Sequence, residues 1–190
     1  YFINFAGVDE QKVENSFGYV LDSLKIGKLM RAKRAVFHPA SQGKLDRETA
    51  VKLTEERLKI LADKIYENGL DDMIVCPETM GKVNQLGTLY EVLELCKLDE
   101  RLIPCIDFGH LNARDLGILK TREDFEKIFL SIKDALGTDR LKSFHSHFSK
   151  IEYTTGGEKR HLTFEDTVFG PDFEPVMDLT VKYGCSPIFI

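Results

Sequence analysis

Apolar residues recur along the chain in two rhythms. Short apolar runs predict strands at 1–5, 34–38, 73–77, 103–108, 142–148 and 187–190. Between them, apolar residues return every three or four positions and predict helices near 9–30, 46–68, 86–97, 122–136 and 173–183. In the second of these, Val51, Leu58, Leu61 and Ile65 share one face with charged residues between them. Asp46 is placed to cap its start and Gly69 to end it. Strand and helix alternate strictly, which calls for parallel strands joined by crossover helices. That order fits a doubly wound sheet or part of an eight-stranded (β/α)8 TIM barrel. No GxGxxG follows the first strand and no GxxxxGK[ST] occurs anywhere, which counts against a nucleotide-binding doubly wound sheet. The longest stretch read as irregular, 149–172, follows the fifth strand, on the face where barrel enzymes carry their active-site loops.

The 190 residues allow one domain, 1–190, and 43% hydrophobic with 30% charged residues is enough to build a core. A net charge of −5 speaks against a strongly basic nucleic-acid binder and leaves room only for a local basic patch. No apolar run reaches membrane-spanning length, so no membrane role is expected. No signal-peptide pattern opens the chain, and a cytoplasmic protein is expected. Cys76, Cys96, Cys105 and Cys185 form no CxxC pair. They read as buried reduced thiols rather than a disulfide framework or a cysteine metal site.

The chemistry lies at the strand ends. His38, His110, His145 and His147 fall at or just beyond the end of a predicted strand, Glu78 ends the third and Asp107 the fourth, and His161 lies in the long loop. In a parallel barrel those ends converge on one rim. Imidazole with carboxylate and no thiolate suits zinc or manganese. A carboxylate such as Glu78 can bridge two cations, a common device in phosphoester displacement. Each residue also has an ordinary role open to it: Glu78 could cap the next helix, and Asp107 with His110 could close a turn. His145 and His147 share a strand face, so one can stand behind the other. Joint placement at successive strand ends is what favours a site.

Five segments carry a resemblance: Val36-Phe37-His38-Pro39, Pro77-Glu78-Thr79, Ile106-Asp107-Phe108-Gly109-His110, His145-Ser146-His147-Phe148-Ser149-Lys150 and Arg160-His161. Together they resemble the endonuclease IV family of apurinic/apyrimidinic endonucleases, within the xylose isomerase-like barrels. The resemblance implies about six of eight βα units, with the first two units and a C-terminal tail lying outside this chain, and open barrel edges through which it would self-associate. It implies zinc-dependent phosphodiester hydrolysis at abasic sites in DNA, with Glu78 as the catalytic carboxylate bridging two ions. His38 would bind the first ion, Asp107 and His145 the second, and His110 and His161 a third. Tyr1, Lys82, Ser149 and Lys150 would meet the substrate. This sequence departs from the family at Lys159, which stands where a third-site carboxylate is expected; Glu158 is one position off in register. The alternatives are a metal-dependent sugar isomerase or epimerase on the same barrel, and a non-catalytic homologue.

Overall fold

The computed structural model describes residues 3–190. In chain order its elements are α1 (Glu10–Leu29), β1 (Arg34–Phe37), β2 (Ala40–Ser41), α2 (Arg47–Glu67), β3 (Ile74–Pro77), β4 (Gln85–Leu86), α3 (Leu89–Cys96), β5 (Cys105–Asp107), α4 (Phe108–Arg114), α5 (Arg122–Leu136), α6 (Thr138–Lys142), β6 (His145–His147), β7 (Lys150–Thr154), β8 (Gly157–Leu162), α7 (Glu174–Lys182) and β9 (Ile188–Phe189). Local chemistry sets the helix starts. Asp46 accepts from the Thr49 N–H at 2.9 Å to begin α2, and Thr88 with Glu91 closes a capping box on α3.

The wall of the fold is parallel. β1 pairs with β3, β3 meets β5 at the Val75–Leu102 and Glu78–Cys105 bridges, β5 pairs with β6, and β6 with β9. Spatial order therefore follows chain order with no reversal. A doubly wound sheet reverses at its switch point, so this order belongs to a barrel wall, one of the two architectures that the alternation left open. Residues 3–5 are not in a strand. Asn4 instead holds a turn, its side chain accepting from the Ala6 and Ser41 N–H groups, and Phe5 N–H donates to Pro39.

Alternate strand residues face opposite sides of the wall. Ala35, Phe37 and Val75 pack outward with α1 and α2 residues such as Leu24, Leu58 and Leu61. Ile106 packs outward with Phe125, Phe129 and Leu179. On the other side, Val36, Ile74, Cys76, Ile103 and Cys105 make a separate inner cluster. The stretch 149–172 is not irregular throughout: β7 and β8 form an antiparallel hairpin across it. Among the described residues no helix is long and apolar enough to cross a membrane, and all four cysteines are free.

Candidate metal centre

The inward alternation lifts the candidate ligands into one layer. Two residues beyond Val36, Cys76, Cys105 and His145 come His38, Glu78, Asp107 and His147. These four line a cavity of about 450 Å³ with His110 and His161 among its other walls. Glu78 sits at the middle. Its Oε1 lies 2.8 Å from His147 Nδ1 and its Oε2 3.1 Å from His38 Nε2. Glu78, Asp107 and His147 each present a donor atom within 4.8 Å of the others.

A second group comes from α4 and the hairpin. Asp107 caps α4 by accepting from the His110 N–H at 2.8 Å, which fixes the turn that swings His110 over the cavity. His110 Nδ1 lies 2.9 Å from the Thr79 carbonyl, to which it can only donate, leaving Nε2 as the lone-pair nitrogen. That Nε2 is 3.5 Å from Glu158 Oε2, and Glu158 Oε1 is 3.8 Å from His161 Nε2. Ser149 Oγ holds His161 by Nδ1 at 2.7 Å. Two glycines permit the crowding. A Cβ on Gly109 would lie 2.3 Å from the Ser149 carbonyl, and one on Gly81 would lie 2.7 Å from Glu158.

Glu158 owes its place to a β-bulge. Glu152 pairs with Arg160, but Tyr153 pairs with Glu158, so Lys159 is an extra residue in β8. Residues three apart normally face opposite sides of a strand. The extra residue restores Glu158 and His161 to one side, while Lys159 and Arg160 turn away to pair with Glu152. The off-register carboxylate of the sequence therefore reaches the place the resemblance left to Lys159.

The electrostatics suit a cation. Burial works to raise the Glu78 carboxyl, but hydrogen bonds from His147 and His38 and the nearby His110 outweigh it and hold it at about 2. The hydrogen bond to Glu78 raises His147 in turn. Burial raises Asp107 against the pull of His110. The Glu78–His147 contact is thus an imidazole N–H donating to a carboxylate, in a place where an ion could stand instead of the proton. Zinc bonds of about 2.0–2.2 Å in a tetrahedron set neighbouring donors roughly 3.3 Å apart. Carboxylate–imidazole separations of 3.1, 3.3, 3.5 and 3.8 Å around Glu78, Asp107, His110 and Glu158 lie near that spacing, whereas the 2.8 Å between Glu78 and His147 is a hydrogen-bond distance that would open to admit an ion. The donor set fits a hard or borderline metal.

Comparison with known proteins bears on the same frame. The model of the xylose isomerase-like TIM barrel family matches residues 1–188. The chain belongs to that family. An uncharacterized protein of Methanocaldococcus jannaschii is 35% identical over 169 residues, covering 89% of this chain and 61% of that protein. Apurinic-apyrimidinic endonuclease 1 of Plasmodium falciparum is 28% identical over 164 residues, 82% of this chain and 26% of that protein. The chain thus spans only part of the length of these relatives. A solved D-tagatose 3-epimerase-like protein superposes with a TM-score of 0.71 at 17% identity, over 98% of this chain and 65% of that one.

Within this xylose isomerase-like barrel the structure sorts the predicted site residues. His38, Glu78, Asp107, His110, His161 and Ser149 meet at the cavity. His145 does not: it lies one layer down, 3% exposed, and His147 stands in the ligand layer. Lys150 reaches away to the Asp166 carbonyl and Asp172. Lys82 is half-buried in the loop before β4 and is not among the cavity-lining residues. Tyr1 lies outside the described residues.

That loop is fastened by two arginines which the sequence did not single out. Buried Arg114 donates to the carbonyls of Met80, Lys82, Val83 and Gln85. Arg47 donates to Val83 and Gln85 and forks onto Glu91, at 2.6 and 2.8 Å. Gln85 and Met80 of this loop line the cavity, and Gly81 supports the hairpin through the Glu158 N–H, 3.0 Å from its carbonyl.

Proposed function

We propose that the chain is the metal-holding portion of a phosphodiester hydrolase that cuts DNA at abasic sites. Its cofactor in this reading is zinc, with manganese the other metal the donors suit, and its setting is the cytoplasm. The observation that carries the reading is the convergence of four imidazoles and three carboxylates on one cavity. A relative named as an apurinic-apyrimidinic endonuclease supports it. His38, Glu78, Asp107 and His147 would hold two ions, and His110, Glu158 and His161 a third. When bound, the ions supply an activated water and positive charge against the phosphate oxygens. The protein's own part is to keep Glu78 ionised between two imidazoles and to fix the ring of His110 through the Thr79 carbonyl. No protein nucleophile is required.

The second reading is a sugar epimerase or isomerase, favoured by the backbone likeness to the D-tagatose 3-epimerase-like protein. There the carboxylates would serve as an acid–base pair on a hydroxycarbonyl. The intact zinc-loaded protein should be offered duplex DNA with one abasic site, the same duplex undamaged, and a panel of ketoses. Strand scission only at the abasic site, lost in Glu78→Gln, is the expected result. Ketose turnover without scission would establish the epimerase reading, and metal binding with neither turnover would leave a non-catalytic homologue.

A further inference from the structure

Beneath the ligand layer the barrel interior holds a polar group that the site above does not use. His145 is 3% exposed, and neither of its ring nitrogens has a hydrogen-bond partner among the described residues. Buried polar atoms are nearly always satisfied, so such a pair calls for an ion or a water. Cys105, fully buried on the neighbouring strand, lies opposite His145 in the β5–β6 register. The Cys105 Sγ and one ring nitrogen each of His145 and His147 all lie within 4.8 Å of one another.

We propose that Cys105, His145 and His147 form a further binding place for a thiophilic d10 cation, Zn²⁺ or Cu⁺, directly beneath the carboxylate-rich centre and sharing the His147 ring with it. This place is read from its donors alone, whatever reaction the cavity above performs. One sulfur and two imidazole nitrogens are the ligands such cations prefer. The hydrophobic cluster around Cys105 consists of Val36, Ile74, Cys76 and Ile103, and the carboxylates of Glu78 and Asp107 stand in the layer above. On binding, the S–H bond breaks, the proton leaves to solvent and a sulfur–metal bond forms; with the centre above also filled, the His147 N–H proton leaves too and the ring bridges the two ions. The resulting thiolate offsets one charge of the ion, against the opposing field of the nearby Arg34 guanidinium. Entry is from above, since His147 also lines the open cavity. The cysteines that look inert in the sequence thus include one donor.

The test is titration of the metal-free intact protein with Co²⁺ alone, followed through thiolate-to-cobalt charge-transfer absorption in the near ultraviolet. The wild type should show this band, and Cys105→Ala should lose both the band and one equivalent of bound cobalt. Cys76→Ala, which changes the other thiol of the same layer, should keep both. Bleaching by added Zn²⁺ identifies the dication as the occupant, and bleaching only by Cu⁺ identifies the monovalent ion. Cobalt bound by the wild type with no charge-transfer band would overturn the proposal and leave a buried water at His145. So would a band that survives Cys105→Ala. If that variant fails to fold, His145→Phe must lose the same equivalent of cobalt.

Discussion

Glu158 and His161 are three residues apart in one β-strand, yet both face the same cavity, because the chain gains a residue at Lys159. Inserting one alanine between Glu152 and Tyr153 would give Lys159 a partner, remove the bulge and turn Glu158 to the outer face of the hairpin. The expected outcome is a fall in metal affinity at the His110 group of about 100-fold, at the upper end of what supporting contacts alone are worth. Binding around Glu78 should hold. Lys159→Ala, which keeps the bulge, should change little. Isothermal titration with Zn²⁺ separates the two variants, and equal affinities would show that the bulge does not set the site.

Arg114 ties four carbonyls of one loop to α4. Arg114→Met keeps the length of the side chain and removes every donor. Buried carbonyls left without partners should cost about 3 kcal/mol of stability, since each unsatisfied group is worth roughly 1–3 kcal/mol. Urea denaturation measures that loss. Metal content of the folded variant should also drop at the His110 group, because Gly81 supports Glu158. Stability lost with metal content unchanged would confine Arg114 to a packing role.

Burial works to raise the Glu91 carboxyl, but the Arg47 fork and the Gly87 and Thr88 N–H groups outweigh it and hold it below the ordinary glutamate range. A carboxyl lowered in the folded state gives stability that is fully present above its unfolded value of about 4.3. That stability drains away as pH falls through the lower folded value. Glu91→Gln should therefore be less stable than wild type by about 1–3 kcal/mol at pH 7. The difference should close as both are melted at progressively lower pH below about 4. A gap that stays constant to pH 3 would mean that the charge on Glu91 contributes nothing.

The last prediction concerns assembly. The wall ends at β9, where Ile188 and Ile190 are exposed, and α1 shows Ile26, Leu29 and Met30 to solvent. An uncovered apolar edge favours pairing with another chain. The 190-residue chain on its own should self-associate in size-exclusion chromatography with light scattering. A 21.7 kDa monomer with cooperative unfolding would argue against it.

Much of this was legible because direction follows from alternation. His38, Glu78 and Asp107 each end a short strand, and a strand end in a parallel barrel faces the rim. His145 and His147 share a face, so residue type could not rank them. The register does, since Asp107 lies opposite His147 and Cys105 opposite His145. The hairpin signal was present in Gly156-Gly157 between Ile151-Glu152-Tyr153 and the following strand. Glu158 was visible only as an off-register neighbour of Lys159, because a bulge changes parity without leaving a sequence mark of its own. Arg47 and Arg114 were hidden because they act through backbone carbonyls distant in sequence, which no side-chain pattern encodes.

The inner wall divides its labour by depth. Val36, Ile74, Cys76 and Ile103 close the interior, and everything that distinguishes one reaction from another stands one step higher, on the final inward residue of each strand and the loops it feeds. Exchanging a rim residue therefore leaves the packing beneath it undisturbed, whereas gaining or losing a single residue within a strand would swap lining for exterior along its length. Such a framework can be rewritten for a new substrate by point changes alone. The same backbone is shared by a chain 28% identical to an apurinic-apyrimidinic endonuclease and by a D-tagatose 3-epimerase-like protein.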